Sequence, residues 1–294
     1  MSFANFKPEI WSTQLLLDRD TAVVGVKNST RQYEGELKKG EVIHIKGLGS
    51  ATIKDLPANG IIDDAESIDD DSLDILITEK KYINFKVEDI DKVQSDGDEI
   101  QNIIHKTGVK YAVAQDNFVY GLAQTGAGKT ITATASGYEL SSSNIFDYLN
   151  TAFAYIRSND VFDGGSIFVE MHPYVITKLQ KAFIQLGQTN NAEIKNGYRG
   201  PYAGSQVYET NVLTPTDGSG NAVAPGTSGA VYPIIVRTGE AVAFVEQKSI
   251  NFIPYSVEKG FADGIKGYGL YGGKVIRPKE LCVINAKLKD ELTA

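Results

Sequence analysis

The sequence is poor in the residues from which most active sites are built, with one cysteine, three histidines and two methionines in 294 residues. A single thiol can form no internal disulfide and has no second thiolate with which to share a metal. Cys282 lies in the run Leu281-Cys282-Val283-Ile284, which reads as a buried strand, and apolar burial raises a thiol pKa and blunts its reactivity. His44, His105 and His172 fall in separate segments without a ligand partner at helical or hairpin spacing, so no metal site is expected from them. Long apolar runs are missing too; nothing approaches the roughly 18 consecutive apolar residues of a membrane helix, and no membrane partner is expected. The opening residues MSFANFKPEIW lack the basic flank and apolar centre of a secretory signal, so a cytosolic origin is expected. Basic residues are outnumbered, 29 Lys and Arg against 37 Asp and Glu, for a formal charge of −8. No basic tract offsets that balance, which argues against a protein whose task is to grip phosphate.

What is present is an ordinary globular composition, 42% hydrophobic, in a chain long enough for one or two cores. The first 40 residues are mixed, with Trp11, Leu15-Leu16-Leu17 and Val23-Val24, and suit a short helix followed by an extended arm. Residues 41–46 (EVIHIK) and 51–54 read as strands. Residues 63–74 carry seven acids in twelve positions; they repel one another and predict a solvated loop, and their spacing does not match a calcium loop. Residues 81–87 (KYINFKV) alternate, with Ile83, Phe85 and Val87 on one face. This strand is expected to return beside 41–46 as one long hairpin with the acidic loop towards its tip.

Ile100, Ile103, Ile104, Tyr111, Ala114, Phe118 and Leu122 then recur three or four apart and predict a helix over 97–123, about 40 Å long. Gly108 is tolerated inside it at roughly 1 kcal/mol. Ser143 or Asn144 caps a second helix carrying Ile145, Leu149, Ala152, Phe153 and Ile156 on one face. Pro173 opens a third, with Ile176, Leu179, Phe183 and Leu186. Strands are expected at 166–170, 206–210, 232–237, 241–246, 251–255 and 281–286. Residues 214–230, rich in Gly, Pro, Ser and Thr, predict an exposed and mobile loop, and its Asp217-Gly218-Ser219-Gly220-Asn221 lacks the downstream Glu of a calcium loop. Helices and strands mix without strict βαβ alternation, which indicates an α+β fold.

The most enzyme-like stretch is 123–130, AQTGAGKT, a Walker A pattern with alanine in place of its first glycine. Nucleotide chemistry would need the amides of 126–129 to cradle phosphates, Lys129 to reach them and Thr130 to hold magnesium. It would also need a buried strand leading in and a helix starting at Gly-Lys-Thr. Here the end of the long helix leads in, and the following ITATA reads as strand. Gly126 and Gly128 are therefore expected to end the helix and turn the chain, with Lys129 exposed in the turn. The run 167–170 (IFVE) is a weak Walker B partner. No Ser/His/Asp or Cys/His grouping can be nominated, so no catalytic residue, cofactor or metal is expected and the chain does not read as an enzyme.

The order of elements is an arm, an acidic-tipped hairpin, a long helix, an α/β region with an irregular loop, and closing strands. It resembles the Hong Kong 97 type fold of tailed-phage major capsid proteins. The local wording is similar in FKPEIWSTQLL (6–16), YEGELKKGEVIHI (33–45), GSIFVEMHPYVITKL (165–179) and NGYRGPYAGSQVYETN (196–211). The resemblance implies an N-terminal arm over 1–40, an E-loop hairpin over 41–88 and a peripheral domain with its spine helix over 89–136. It further implies an axial domain over 137–237 with the flexible loop 214–230, and return strands of the peripheral domain over 238–294. The implied function is self-assembly into pentamers and hexamers of an icosahedral head enclosing double-stranded DNA, a virion capsid built in the bacterial host cytoplasm. Trp11, Ile43, Ile45, Ile83, Phe85 and Val87 are the candidate contacts between subunits, and packaged DNA would be in weak, non-specific contact. Because the sequence begins at the arm, a separate scaffolding protein is expected, with a portal and a decoration protein as further candidate partners. Some members of the family join an E-loop lysine to a neighbour's asparagine, and Lys54, Lys80 and Lys81 are available for that. An encapsulin-type nanocompartment shell shares the fold and is one alternative; a P-loop NTPase acting through AQTGAGKT is the other.

Overall fold

The computed structural model describes residues 23–34, 40–48, 55, 70–88, 99–159, 164–185, 198–256 and 262–289. In chain order the elements begin with β1 (Val42–Leu48), β2 (Asp70–Leu76), β3 (Glu79–Glu88), α1 (Glu99–Gly126), β4 (Lys129–Ala133), α2 (Ile145–Arg157), β5 (Ile167–Met171) and α3 (Pro173–Gln185). They continue with β6 (Tyr198–Tyr202), β7 (Ser205–Glu209), β8 (Val231–Thr238), β9 (Val242–Lys248), β10 (Ile253–Ser256), β11 (Ala262–Val275) and β12 (Leu281–Lys287). The mixture is α+β.

Among the described residues, six strands form the larger sheet in the order β4-β12-β8-β5-β7-β6. Its central strands are apolar on both faces, as a sheet covered on both sides demands. Ile234 and Val236 of β8, with Cys282 and Ile284 of β12, face α2 and α3, where Ile145, Leu149, Phe153, Ile156, Ile176 and Leu179 close the core. On the opposite face Ile235, Leu281 and Val283 meet Val119, Tyr120 and Ala123 of α1. Pro173 starts α3 and Asn144 caps α2, both at the expected positions. Asn144 caps indirectly: its side chain accepts from the Ser141 amide at 2.8 Å and donates to Glu139 O at 2.9 Å. β6 and β7 are joined by a two-residue turn, Ala203-Gly204, with φ of 49° and 80°, the left-handed pair that suits a tight hairpin.

The second sheet is built around β11, which has β3 along one edge and β9 and β10 along the other. Tyr271 projects towards α1 and meets Tyr111, Phe118 and Phe244 at ring distances of 5.8, 5.5 and 5.8 Å. The helix can lie this close because Gly269, on the same face, leaves the space Tyr111 fills. The base of the β1–β2 ribbon crosses the other face. There Leu76 and Ile77 pass over Gly272, and Ile43, Ile75 and Ile77 pack on Ala243, Val245 and Leu270.

Several expectations are corrected. β3 does not return beside β1; β2 does, with Ile43 opposite Ile75 and Ile45 opposite Leu73, while β3 pairs with β11 over its whole length. Residues 70–74 are thus strand, because Leu73, Ile75 and Ile77 supply a period of two beneath the acids. The helix expected over 97–123 runs to Gly126, and its buried stripe is rotated. Tyr111, Gln115, Asp116, Val119, Tyr120 and Ala123 are buried, whereas Ile103 is 39% exposed. Loop 214–230 is mostly exposed but tied down: Asp217 Oδ1 accepts from the amides of Ser219 and Asn221, both at 2.8 Å, and Thr216 bridges Ala222 and Val231. β4 and β12 lie in one sheet with β8 and β5, β4 reaching them through β12. Residues 51–54, Trp11, Lys54 and the acids at 63–69 lie outside the described residues.

Candidate interaction surfaces

The most elaborate polar structure in the chain is buried, and it holds the segment 23–34 against both sheets. Asp116, on the buried stripe of α1, accepts from three consecutive amides: Val24 at 2.7 Å, Gly25 at 3.0 Å and Val26 at 2.8 Å. Arg237 of β8 and Glu170 of β5 form an ion pair at 2.9 Å with both side chains fully buried. The guanidinium also donates to Ser29 Oγ at 2.8 Å and Gly25 O at 2.7 Å, and Asn28 Nδ2 donates to Glu170 at 2.9 Å. Thr30 completes the attachment through two backbone bonds to β9. Burial pushes the carboxyls of Glu170 and Asp116 up, against the pull of Arg237 and the amide donors. Desolvated charges of this kind demand full pairing, so the clasp fixes residues 24–30 against the two sheets.

The AQTGAGKT stretch does not make a nucleotide site. It ends α1 and leads directly into strand β4. The Gly128 amide, which a phosphate would require, donates to Pro278 O at 3.0 Å, and a side chain there would strike that same carbonyl. Lys129 is half-buried rather than exposed, because β4 begins at it and lays its Nζ 5.2 Å from the Tyr155 ring centre on α2. The weak Walker B acid, Glu170, is consumed in the clasp. No group of three or more His, Cys, Asp and Glu able to hold a metal occurs among the described residues. Cys282 is buried and its thiol is pushed up to about 11. His172 is buried against Tyr174 and Tyr232, and His44 pairs with Asp74 at 2.6 Å. A cleft of about 520 Å³ beneath loop 214–230 is lined by Tyr174, Tyr232, Lys178 and Lys287, with Lys287 paired to Glu139 at 3.0 Å.

The candidate contact residues divide. Ile43 is 5% exposed and buried in its own chain, so it presents nothing to a neighbour; the ribbon base uses it as an anchor. Ile45 is half-buried beside it. Ile83 and Phe85 are half-buried on β3, and Val87 lies on the same strand. Among the described residues, the β1–β2 ribbon has no third strand at either edge. Several exposed apolar groups sit nearby, Tyr82 at 81% exposure, Tyr268 and Ile253 on the second sheet and Leu76 on β2, while Ile184 and Tyr138 are exposed elsewhere. Exposed apolar groups clustered like this mark a candidate interaction surface.

Comparison with solved structures decides what this architecture is. A chain from Mycobacterium phage Che8 superposes with a TM-score of 0.78 at 26% identity, covering 96% of this chain and 98% of that one. The fold is that of a phage capsid protein. The capsid of cyanophage P-SCSP1u matches at a TM-score of 0.75, with 15% identity over 97% and 94% of the two chains. The mature capsid of bacteriophage PhiM1 gives 0.72, with 16% identity over 97% and 93%. No protein-family model and no curated protein matches the chain. The likeness to these folds covers 96–97% of the chain.

Proposed function

We propose that this chain is the major capsid protein of a tailed phage, assembling with copies of itself into pentamers and hexamers of an icosahedral head around double-stranded DNA. The observation that carries the reading is the end-to-end likeness to solved phage capsids, over 97% of this chain and 94% and 93% of the cyanophage P-SCSP1u and PhiM1 capsid chains. In Hong Kong 97 terms the β1–β2 ribbon is the E-loop and α1 the spine helix. The sheet built on β11 belongs to the peripheral domain, and the larger sheet with α2 and α3 to the axial domain. Residues 1–40 are the N-terminal arm, attached through the clasp. A ribbon anchored at its base, and unpaired along both edges among the described residues, is suited to pair or pack against another subunit. Head-to-tail contacts of that kind close into rings.

A net charge of −8 suits an inner wall along which packaged DNA slides. A scaffolding protein and a portal are the further partners proposed, with a decoration protein as an additional candidate, and the bacterial cytoplasm is the proposed place of assembly. Of the lysines considered for cross-linking, Lys80 is held by Glu41 at 2.9 Å and Lys81 by Glu79 at 2.7 Å. Negative-stain microscopy of the expressed protein tests the function: closed shells of uniform diameter are expected, and a protein that stays dispersed as monomer at every concentration contradicts it.

A further inference from the structure

We propose that the cleft beneath loop 214–230 is the seat of residues 290–294 of the same chain, which strap the base of that loop to α3. The point at which the chain passes on to this segment is fixed by three hydrogen bonds. The Leu140 amide donates to Lys287 O at 2.8 Å and the Lys289 amide to Leu140 O at 2.9 Å. The Lys289 carbonyl then accepts from Lys178 Nζ of α3 at 2.8 Å. Lys178, Lys287 and Lys289 all line the cleft, so residue 290 begins at its rim.

The lining has the chemistry of the sequence that follows. It holds these three lysines against a single carboxylate, Glu139, an excess of two positive charges on a chain whose overall charge is −8. Tyr174 and Tyr232 supply the apolar surface, their rings stacked at 6.0 Å with planes 20° apart, and Tyr174 is 46% exposed. The roof is backbone. Gly226, at a φ of 85°, donates its amide to Tyr232 Oη at 2.7 Å, and a side chain there would press on Tyr174 Oη. The loop therefore sits directly over the ring pair.

Residues 290–294 read Asp-Glu-Leu-Thr-Ala. Asp290 and Glu291 match the lysines at the rim, Leu292 matches the rings, and the smaller Thr293 and Ala294 suit the space beneath a backbone roof. Three extended residues reach about 10 Å, which lets Leu292 pass from Lys289 into the cleft. A segment tethered at the rim acts at an effective concentration on the order of millimolar, which favours it over a loose anion or another chain's peptide.

The proposal stands apart from shell assembly, and unassembled protein tests it. Ser228 is exposed on the roof and the native Cys282 is buried, so Ser228→Cys with Leu292→Cys is treated with oxidised glutathione. A disulfide closes only where the two Cβ atoms come within about 4.5 Å. The expected product is a link within one chain, monomeric on a non-reducing gel and mapped by mass spectrometry. It should form about tenfold faster than the link in Ile184→Cys with Leu292→Cys, which samples the exposed part of α3 beyond Lys178. Failure to close, or closure as fast at position 184, overturns the proposal. A link between two chains also overturns it and assigns the cleft to a neighbour's segment. In a second arm, Asp290→Asn, Glu291→Gln and Leu292→Ser together should speed hydrogen exchange about three- to tenfold at the amides of Gly226 and Ala230, which are bonded at 2.7 and 3.1 Å. Exchange there that the triple variant leaves unmoved overturns the strap.

Discussion

Replacing Arg237 by methionine tests the clasp most severely. The guanidinium is fully buried and bonds Glu170 twice, at 3.1 and 2.9 Å, besides Ser29 and Gly25. Methionine fills much of the volume but leaves the Glu170 carboxylate buried with Asn28 as its remaining donor. Breaking a buried pair from one side costs about 3–5 kcal/mol. Removing both charges should cost far less, so Glu170→Gln is added: its carbonyl still accepts from Asn28, and Ser29 Oγ still donates to Gly25 O at 2.8 Å. The double variant should recover at least about 2 kcal/mol of the loss, an interaction energy of the size expected for a contacting pair. Urea unfolding of unassembled protein measures both, and hydrogen exchange at the amides of 24–26 reports whether the N-terminal segment is released first. An R237M variant within about 1 kcal/mol of the parent, or a double variant no better than the single, would refute the idea that this pair fixes the segment.

Asp116→Asn gives up one of the two carboxylate oxygens that together accept from three amides and should cost about 1–3 kcal/mol, with faster exchange confined at first to 24–26. Gly128→Ala drives a methyl into the Pro278 carbonyl and should cost about 1–3 kcal/mol, read from the unfolding midpoint, whereas Lys129→Ala should leave nucleotide affinity as absent as in the parent by calorimetry. His172 is held below its usual 6.5 by burial, and its Nδ1 faces the Tyr174 amide at 3.3 Å. The unfolded chain therefore takes up the proton first as pH falls, and stability declines from about pH 6.5 downwards at no more than roughly 1.4 kcal/mol per pH unit; His172→Gln should flatten that decline. Glu170 and Asp116 act with the opposite sign. Their raised carboxyls contribute most below the ordinary carboxylate range and progressively less as pH rises through their folded values, so mild acid should not by itself open the clasp.

How far the chain could be read in advance depended on whether a segment's period was clean. α2 and α3 carry uninterrupted apolar stripes with a cap or a proline at the start, and both were legible to within a residue or two. β8 and β12 were legible as apolar runs. The end of α1 was legible because two glycines followed by β-branched residues cannot continue a helix. β11 was not, since five glycines in fourteen residues erase the usual strand signal; those glycines make room for Tyr111, Tyr255 and the ribbon base. β2 was hidden by its acids, although Leu73 and Ile75 alternate beneath them. The clasp did leave a trace that went unused: Glu170 in IFVEM and Arg237 in YPIIVRT are single opposite charges inside apolar strands, and such charges are buried only in pairs. That they meet each other, and Asn28 and Ser29 from about 140 and 210 residues away in sequence, no local pattern reveals.

The most direct test of the account is electron cryo-microscopy of the protein after expression with its neighbouring genes. The account predicts closed icosahedral shells in which this fold fits the density of both pentamers and hexamers, with each β1–β2 ribbon lying on an adjacent subunit. Particles that remain at the 31.9 kDa of a single chain, or shells in which every ribbon folds back on its own subunit, would contradict it.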